Sequence, residues 1–354
     1  MKQFINKILL LPVLLVFGAG MMLTSCKKDA DGAPENAPGA MSVKLIRPDS
    51  AAGGEVLILE GSGIGDIRSI VFERNNVPAS VMSTLNTDHS LVFRVPDTAF
   101  GGDQNIVFTN SAGKSASVPF KVIALPTVSM VEVEHLPGFM VTDYVPGDIL
   151  KLTGNNLDDV TDVFIEGTND RAEIILGQTR KMMFIKMPQT NKVRAKLKLT
   201  NLSGSRVTDM EFVNIDKAVK VWVDEWIPGI DSWGWGGEFK SSADAHITGP
   251  KSLKAAFDPG GSWGGLVFHS DAGVPLSGNS YISFWVKGAD VEKNFKYMIN
   301  WGTEKTLTIA PNKWQYFKFP IATTYPGVSK IHDLIFQIHN EGKTLYFDNI
   351  VIVP

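Results

Sequence analysis

Short runs of alternating apolar and polar residues, broken by Gly, Asn, Asp and Pro, recur along most of the chain. This alternation is the period of a β-strand with one buried face, and no window shows the period of an amphipathic helix. Beyond residue 216 such runs stand at 219–223, 252–257, 265–268, 281–287, 295–300, 306–309, 314–319, 333–338 and 344–352. The pattern predicts an all-β protein whose last domain, 217–354, is a sandwich of jelly-roll type with about eight or nine strands.

An internal repeat divides the preceding part of the chain. The segment 54–64 aligns with 147–157, and a near-constant offset relates later positions of the two stretches. Correspondence over so long a stretch indicates two copies of one domain, at 40–125 and 126–216. In each copy a Gly, an acidic residue, a strand and an Asn-like turn follow one another, a pattern that resembles the immunoglobulin-like IPT/TIG domain. We therefore expect two small antiparallel sandwiches before the last domain.

The N-terminus has the organisation of a secretory signal. Lys2 and Lys7 precede an apolar run that ends at Cys26, and this run is short for a bilayer span of about twenty residues. The cleavage region resembles the lipobox of bacterial lipoproteins, which implies a signal peptide over 1–25 and lipidation of Cys26. Because Cys26 is the only cysteine, no disulfide can form within the chain. Residues 26–39 lack periodicity and are predicted to be a flexible tether.

Charge and compartment argue against a nucleic-acid partner. The formal net charge is −3, and no stripe of Lys and Arg is interleaved with aromatic residues. Lys192, Arg194, Lys196 and Lys198 alternate along one predicted strand, which places them together on one solvated face. We therefore predict that the chain does not bind nucleic acid.

All eight tryptophans lie between Trp222 and Trp314. A local excess of so large a ring indicates either a dense core or flat aromatic surfaces for a ligand. Trp285 and Trp314 stand inside apolar strand runs, where burial in the core is expected. Trp233, Trp235 and Trp263 stand among Gly, Ser and Asp in predicted loops, where exposure to a ligand is plausible.

Polar residues that accompany aromatic rings complete a candidate glycan site. The faces of sugar rings carry C–H groups that pack on indoles, while amides and imidazoles bind the hydroxyl groups at the rim. Gln337 and His339 are two residues apart and face away from Phe336 and Ile338. The candidate binding residues are Trp233, Trp235, Trp263, Asn300, Trp301, Gln337 and His339.

Four segments of the last domain resemble carbohydrate-binding modules, at 222–226, 283–288, 314–317 and 346–352. Together with the lipobox and the tandem repeats, they make the whole chain similar to the second type of surface glycan-binding protein encoded in bacterial polysaccharide-utilisation loci. The resemblance implies a lipid-anchored protein of the cell outer membrane that faces the exterior. It also implies binding of xyloglucan or another β-glucan, and capture of it for a neighbouring transporter and surface hydrolases.

Two other functions compete with glycan binding. A glycoside hydrolase needs a pair of carboxylates at a defined spacing, but no acidic residue of the last domain stands in such a motif. The sequence also has no nucleophile elbow, zinc-protease motif or phosphate loop. We therefore predict no catalytic residue. A surface adhesin or structural spacer that binds protein partners would suit tandem sandwiches equally well, and the tryptophan excess is what argues against it.

A structural calcium ion is a further possibility. Modules of the kind that this domain resembles often hold one near their first and last strands, where Asp224, Glu225 and Asp348 stand here. The alternative is that Asp348 and Asn349 shape the turn into the final strand. We favour the alternative and predict no metal or other cofactor.

Overall fold

The computed structural model describes residues 41–134, 136, 138–260, 262–339 and 342–354. The predicted signal peptide, the tether and Cys26 lie outside the described residues. The chain divides into two compact units, Met1–Ala124 and Leu125–Pro354. The regular secondary structure of the described part is almost entirely strand, which confirms the all-β prediction, and none of its helices is long and apolar enough to cross a membrane.

The first unit is a sandwich of two sheets, ordered β1-β3-β6 and β2-β8-β7-β4-β5. Its core contains the edge-to-face pair Phe93 and Phe108, with ring centroids 5.6 Å apart. Short 3-10 helices cover Arg74–Asn76 and Ser83–Leu85. Its strands are β1 (Ser42–Arg47), β2 (Ser50–Ala52), β3 (Val56–Ser62), β4 (Ile67–Phe72), β5 (Val77–Ala79), β6 (Ser90–Arg94), β7 (Gly102–Asn110) and β8 (Ser115–Ile123).

The second unit begins with another sandwich, which we call the second sandwich. Its sheets are ordered β13-β14-β11-β9, β12-β16-β17 and β10-β18-β15. A 3-10 helix at Ile215–Lys217 follows it. Its strands are β9 (Thr127–Val133), β10 (Asp143–Tyr144), β11 (Ile149–Asn155), β12 (Asp162–Ile165), β13 (Glu173–Thr179), β14 (Met182–Lys186), β15 (Arg194–Ala195), β16 (Leu197–Asn201), β17 (Gly204–Val207) and β18 (Phe212–Asn214).

One repeated glycine has the same structural cause in both sandwiches. Gly61 lies where β3 passes β1, and a Cβ atom there would stand 2.3 Å from the carbonyl oxygen of Ser42. At the equivalent Gly154 on β11, a Cβ atom would stand 1.7 Å from the carbonyl oxygen of Thr127 on β9. Each sandwich therefore needs glycine at this crossing because its first strand approaches too closely for any side chain.

The rest of the second unit is a two-sheet sandwich, which we call the module. One helical turn, α1 (Ile321–Thr324), interrupts the strands. The strands are β19 (Val219–Val223), β20 (Glu225–Trp226), β21 (Asp231–Trp235), β22 (Gly237–Ser242), β23 (Ser252–Phe257), β24 (Trp263–Pro275), β25 (Tyr281–Lys287), β26 (Lys293–Ile299), β27 (Lys305–Ile309), β28 (Trp314–Pro320), β29 (Lys330–His339) and β30 (Thr344–Val353).

Strand β30 organises one sheet of the module. It pairs with β25 along one side and with β23 and β19 along the other, while β22, β20 and β28 extend the sheet. The other sheet is ordered β21-β24-β29-β26-β27. Phe284, Phe336 and Phe347 lie in the core between the two sheets and contact one another, with the Phe284 and Phe336 centroids 5.1 Å apart. The nine predicted runs all coincide with strands, whereas β20, β21 and β22 were not predicted.

The outer face of the β30 sheet is covered by the second sandwich. Trp285 is 3% exposed, and its ring meets Phe139 edge-on at 4.8 Å. Tyr316 and the half-buried Trp314 pack against the same cluster of apolar residues. The prediction that Trp285 is a buried strand residue is therefore right, but the second sandwich buries it rather than the interior of the module. This contact unites the two domains in one compact unit.

A buried polar group accompanies the apolar contact. The carboxylate of Asp143 accepts a hydrogen bond from the hydroxyl of Tyr316 and lies 3.4 Å from that of Ser283. Burial raises the pKa of Asp143, because the hydroxyl donors offset only part of the lost hydration. Arg194 lies 4.8 Å above the ring of Tyr281 and donates to the carbonyl oxygen of Asn279. The prediction that Arg194 is on a solvated face is therefore wrong, because it bridges the second sandwich and the module.

We expect Trp285→Ala to lower the free energy of unfolding of the second unit by about 3–5 kcal/mol, since it leaves a cavity between two packed domains. Tryptophan fluorescence during denaturation measures this unit alone, because every tryptophan lies within it. Trp233→Ala is the matched control, because its ring is 49% exposed. Equal losses in the two variants would contradict a stabilising contact at Trp285.

Candidate functional site

Three tryptophans lie side by side on the outer face of the β21-β24-β29-β26-β27 sheet. The ring centroids of Trp233, Trp235 and Trp301 are 5.8, 6.0 and 6.4 Å apart, and their planes differ by 22–35°. Three nearly equal distances exclude a column of stacked rings, in which one pair would be twice as far apart. The rings instead form a close cluster of nearly parallel indoles, in which Trp301 stacks against both Trp233 and Trp235. We call this cluster the tile, and the tile together with Trp263 the aromatic face.

The prediction that Trp233 and Trp235 are in a loop is wrong, because both lie on strand β21. Alternation along this strand sends their side chains outward and leaves Gly234 facing inward. A Cβ atom at Gly234 would stand 2.5 Å from the ring of Phe239. Gly234, one of the glycines that suggested a loop, is therefore a requirement of close packing within the sheet.

The tryptophans cover a small apolar cluster while remaining accessible. Val267, Ile335 and Met298 point outward from three neighbouring strands, yet each is at most 4% exposed, and Trp235 packs against them. Trp233 and Trp301 are nevertheless 49% and 48% exposed. Because Trp235 rests on the buried aliphatic side chains and contacts both half-exposed rings, those rings are held in place without being enclosed. This is the condition for a flat ligand to contact them from solvent.

Gly265 sets the position of Trp235. The two residues are register partners on β24 and β21. A Cβ atom at Gly265 would lie 2.3 Å from the six-membered ring of Trp235, so the indole lies directly across the glycine backbone. Any side chain at this position would lift the indole away from the sheet. A glycine on the central strand is thus part of the aromatic face.

The aromatic face has two groups of rings, the tile and Trp263, which we call its two stations. Trp263 starts β24 opposite His339 on β29, and the two rings meet at 90° with centroids 5.6 Å apart. The ammonium group of Lys296 lies 4.4 Å from the centre of the indole and forms an ion pair with Glu304 at 2.6 Å. Trp263 is 44% exposed, so these contacts orient the ring and leave much of it open.

Gln337 lies between the two stations. Its register partners are Gly265, which lies under Trp235, and Lys296, which contacts Trp263. Gln337 is half-buried and His339 is exposed, whereas Phe336 and Ile338 are in the core. The strand therefore has the two faces that the alternation predicts.

Trp301 reaches the other rings from a tight turn. Asn300 and Trp301 both have positive φ, at 51° and 57°, and the N–H of Gly302 donates to the carbonyl oxygen of Ile299 at 2.9 Å. This is a turn of type I′, whose second central position favours glycine. A tryptophan there is strained by about 1–3 kcal/mol. Strain of this size at an exposed ring indicates a functional constraint.

Asn300 has a structural role that the sequence did not predict. Its Oδ1 atom accepts hydrogen bonds from the backbone N–H groups of His332 and Asp333, at 2.8 and 3.0 Å. Its Nδ2 atom donates to the carbonyl oxygen of Lys330 at 2.8 Å. The side-chain amide thus pairs with β29 just beyond the end of β26, as a backbone peptide would. These bonds give the side chain a structural role in the turn, and the predicted contact of Asn300 with a ligand stays a prediction.

Sequence reasoning missed a charged cluster at one edge of this face. His269 is hydrogen-bonded through Nδ1 to Asp333 at 2.7 Å and through Nε2 to Asp271 at 3.1 Å. These two bonds, led by the one with Asp333, raise the pKa of His269 above its usual range. Asp231 is its register partner on β21. Asp231, His269 and Asp333 are far apart in sequence, so only the pairing of three strands brings them together.

The acidic residues that were considered as calcium ligands form hydrogen bonds with other groups of the same chain. Glu225 accepts hydrogen bonds from Lys251 and Ser241. The buried carboxylate of Asp348 accepts bonds from the backbone N–H groups of Ile247 and Thr248, while burial raises its pKa to about 6. Within the described part of the chain, no group of three or more His, Cys, Asp and Glu side chains could hold a metal ion. The expectation that the module has no metal cofactor stays a prediction.

A cavity of about 640 Å³ lies elsewhere, between the second sandwich and the module. Its lining includes Asp143, Tyr144, Trp285 and Tyr316. The Asp143 carboxylate already accepts the hydroxyl of Tyr316, and Trp285 already packs on Phe139. Because these groups are engaged with one another, we place the candidate site on the aromatic face and not in this cavity.

No protein-family model and no curated protein sequence matches the chain. Among solved structures, the surface glycan-binding protein PbSGBP-B from Prevotella bryantii matches 90% of this chain and 100% of its own, with a TM-score of 0.55 and 15% identity. The SGBP-B protein from a complex xyloglucan utilization locus in Bacteroides uniformis matches 89% of this chain and 99% of its own, with a TM-score of 0.43 and 16% identity. At such identities the likeness concerns the fold. The chain shares the fold of the Prevotella bryantii protein, which confirms the predicted resemblance at that level.

The His269 cluster makes a pH-dependent contribution to stability. Because the folded-state pKa is raised, the contribution is complete below the unfolded-state pKa of about 6.5 and is lost as pH rises through the folded value. Histidine titration by NMR should therefore give a midpoint above 6.5 for His269. Asp333→Asn should lower this midpoint more than Asp271→Asn, because Asp333 makes the stronger bond. A midpoint that neither substitution moves would exclude the ion pairs.

Proposed function

We propose that the chain is a non-catalytic glycan-binding protein of the cell surface that holds a polysaccharide on the aromatic face. The observation that carries this proposal is the tile formed by Trp233, Trp235 and Trp301, in which the rings of Trp233 and Trp301 are half-exposed. A pyranose ring places its C–H groups against such a surface and removes apolar area from water. The fold shared with a surface glycan-binding protein supports the same conclusion.

The ligand class that fits best is a β-glucan such as xyloglucan. In β-linked glucose the ring hydroxyls are equatorial, so both faces of each ring are flat and carry axial C–H groups. Gln337 and His339 lie beside the indoles, where they can bind equatorial hydroxyls at the rim. Gly265 and Trp263, which mark the two stations, are two residues apart on β24, or about 7 Å. A ligand that contacts both stations therefore needs more than one sugar residue.

The surface is open, which favours capture of internal chain segments over enclosure of a chain end. Stacking on an open face gives weak binding per site, of micromolar order or weaker. Many copies on one cell surface would compensate, because a polymer can engage several of them together. This arrangement is suited to holding polysaccharide near a transporter and near surface hydrolases.

Export and lipid attachment complete the proposal. The lipobox-like segment that ends at Cys26 supports a diacylated cysteine that anchors the protein in the outer membrane, with its folded domains outside the cell. Along the chain, the two sandwiches stand between this anchor and the module. We favour this function over a protein-binding adhesin, because exposed tryptophan tiles suit flat sugar rings better than a varied protein surface.

Substitution of the tiles tests the proposal. In affinity gels that contain xyloglucan or mixed-linkage glucan, the chain from Lys27 onward should be retarded. Trp233→Ala and Trp301→Ala should each remove about 1–3 kcal/mol of binding, or roughly tenfold to more than a hundredfold in affinity. Trp226→Ala is the matched control, because Trp226 is 36% exposed but contacts Phe268 away from the tiles. Equal retardation of the parent chain and both tile variants would remove the aromatic face as the binding site.

The same gels distinguish a binder from a hydrolase. The purified chain should release no reducing ends from any glucan that retards it, because no acidic pair is arranged by motif for glycoside hydrolysis. Release of reducing ends that disappears when one or two acidic residues are replaced would show that the protein is an enzyme.

Lipid attachment has its own test. Cys26→Ala should move the protein from the membrane fraction to the soluble fraction, because the acylated residue is lost while the folded domains are unchanged. Fractionation followed by immunoblotting measures the distribution, and Ser25→Ala serves as a control for handling of the leader. If Cys26→Ala remains with the membrane to the same extent as the parent protein, the anchor lies elsewhere.

A further inference from the structure

We infer that Asn300 is a positioning residue that holds the indole of Trp301 in the tile with Trp233 and Trp235. The inference rests on the proposed function, since it concerns how the same surface is prepared for its ligand. Asn300 itself is not assigned a contact with the glycan.

The turn at Asn300 and Trp301 has little support from its own backbone. One hydrogen bond, from Gly302 to Ile299, closes it, and the residue with the bulky side chain occupies a left-handed conformation. Without hydrogen bonds from outside the turn, the backbone would also adopt conformations in which Trp301 has an ordinary negative φ. A partner outside the turn must therefore hold it in place.

Asn300 supplies that partner through three hydrogen bonds to β29. They reach Lys330, His332 and Asp333, all on the strand next to β26. A fourth bond runs from the backbone N–H of Asn300 to the carbonyl oxygen of Asp333 at 3.0 Å. The turn is thus fixed to the central part of the sheet at a point adjacent to the root of the Trp301 side chain.

The rings that Trp301 meets lie on the same outer face but belong to a strand at the far edge of the sheet. Trp233 and Trp235 lie on β21, and β24 and β29 separate this strand from β26. Trp301 must therefore extend across two strands to reach within 5.8 Å of Trp233. A small rotation at the turn would be amplified along the indole, so rigid attachment to β29 determines whether the tile is complete.

The inference predicts that Asn300 acts only through Trp301, and a double-mutant cycle tests this. Asn300→Gly keeps a residue that readily adopts positive φ but removes all three side-chain bonds. We expect affinity for the glucan to fall about tenfold. In Trp301→Gly the ring is absent, so adding Asn300→Gly should cause no further loss. Isothermal titration calorimetry gives the four affinities.

A spectroscopic measurement reports on the tile without any ligand. Indole rings this close couple excitonically, so the far-ultraviolet circular dichroism couplet depends on their mutual orientation. Asn300→Gly should reduce the couplet, as Trp301→Gly does. Asn312→Gly is the matched control, because Asn312 also has a positive φ of 54° in a turn of the module but lies away from the aromatic face. It should leave both the couplet and the affinity unchanged.

The outcomes separate this inference from the proposed function. A reduced couplet with a non-additive loss of affinity supports positioning. Additive losses would show that Asn300 contacts the glycan directly, and an unchanged couplet would show that Trp301 is held without it; either result overturns the inference. If the chain binds no glucan at all, the proposed function fails, while the couplet still decides whether Asn300 positions the ring.

Discussion

The pairing of β24 with β29 is the constraint on which both the core of the module and the aromatic face depend. Its register places Val267 beside Ile335 and Gly265 beside Gln337. Because alternate residues face opposite sides of a sheet, this register buries Phe336 in the core and presents Gln337 outward. A slip of one residue would exchange the two faces, which would bury the amide and expose the phenylalanine. The stability of the module and the composition of the aromatic face are therefore set by the same hydrogen-bond ladder.

The module presents aromatic residues on both of its outer faces, and the neighbouring domain decides which of them is available. Trp285 lies on the face that the second sandwich covers and is 3% exposed, whereas Trp233 lies on the open face and is 49% exposed. The same side chain thus serves as an anchor between domains in one place and as an open surface in the other. Removing residues before 217 would uncover Trp285 and create a second aromatic surface. The complete unit from Leu125 is consequently the appropriate object for binding studies.

Alternation along the chain was sufficient to predict the strand content and the outward face of β29, because burial of one face imposes a period of two. It did not predict β21, since Gly234 interrupts the apolar pattern for a reason of close packing that no local rule expresses, and Gly236 follows the strand with a positive φ of 64°. The tile was beyond prediction for a different reason. Trp301 meets Trp233 only because of the strand order β21-β24-β29-β26, which is a property of the fold. Asn300 was assigned to the ligand because its three backbone partners are about thirty residues away.

The conformation of Trp301 is hard to explain by stability alone. Glycine at this position would relieve the left-handed strain, and asparagine would tolerate it better than tryptophan does. A buried ring could offset the strain through the apolar area that it removes from water, but this ring keeps 48% of its surface exposed. Local conflicts between residue and backbone are expected where function requires them. The strain becomes understandable once the open part of the indole is the part that the molecule uses, and the hydrogen bonds of Asn300 are what allow it to persist.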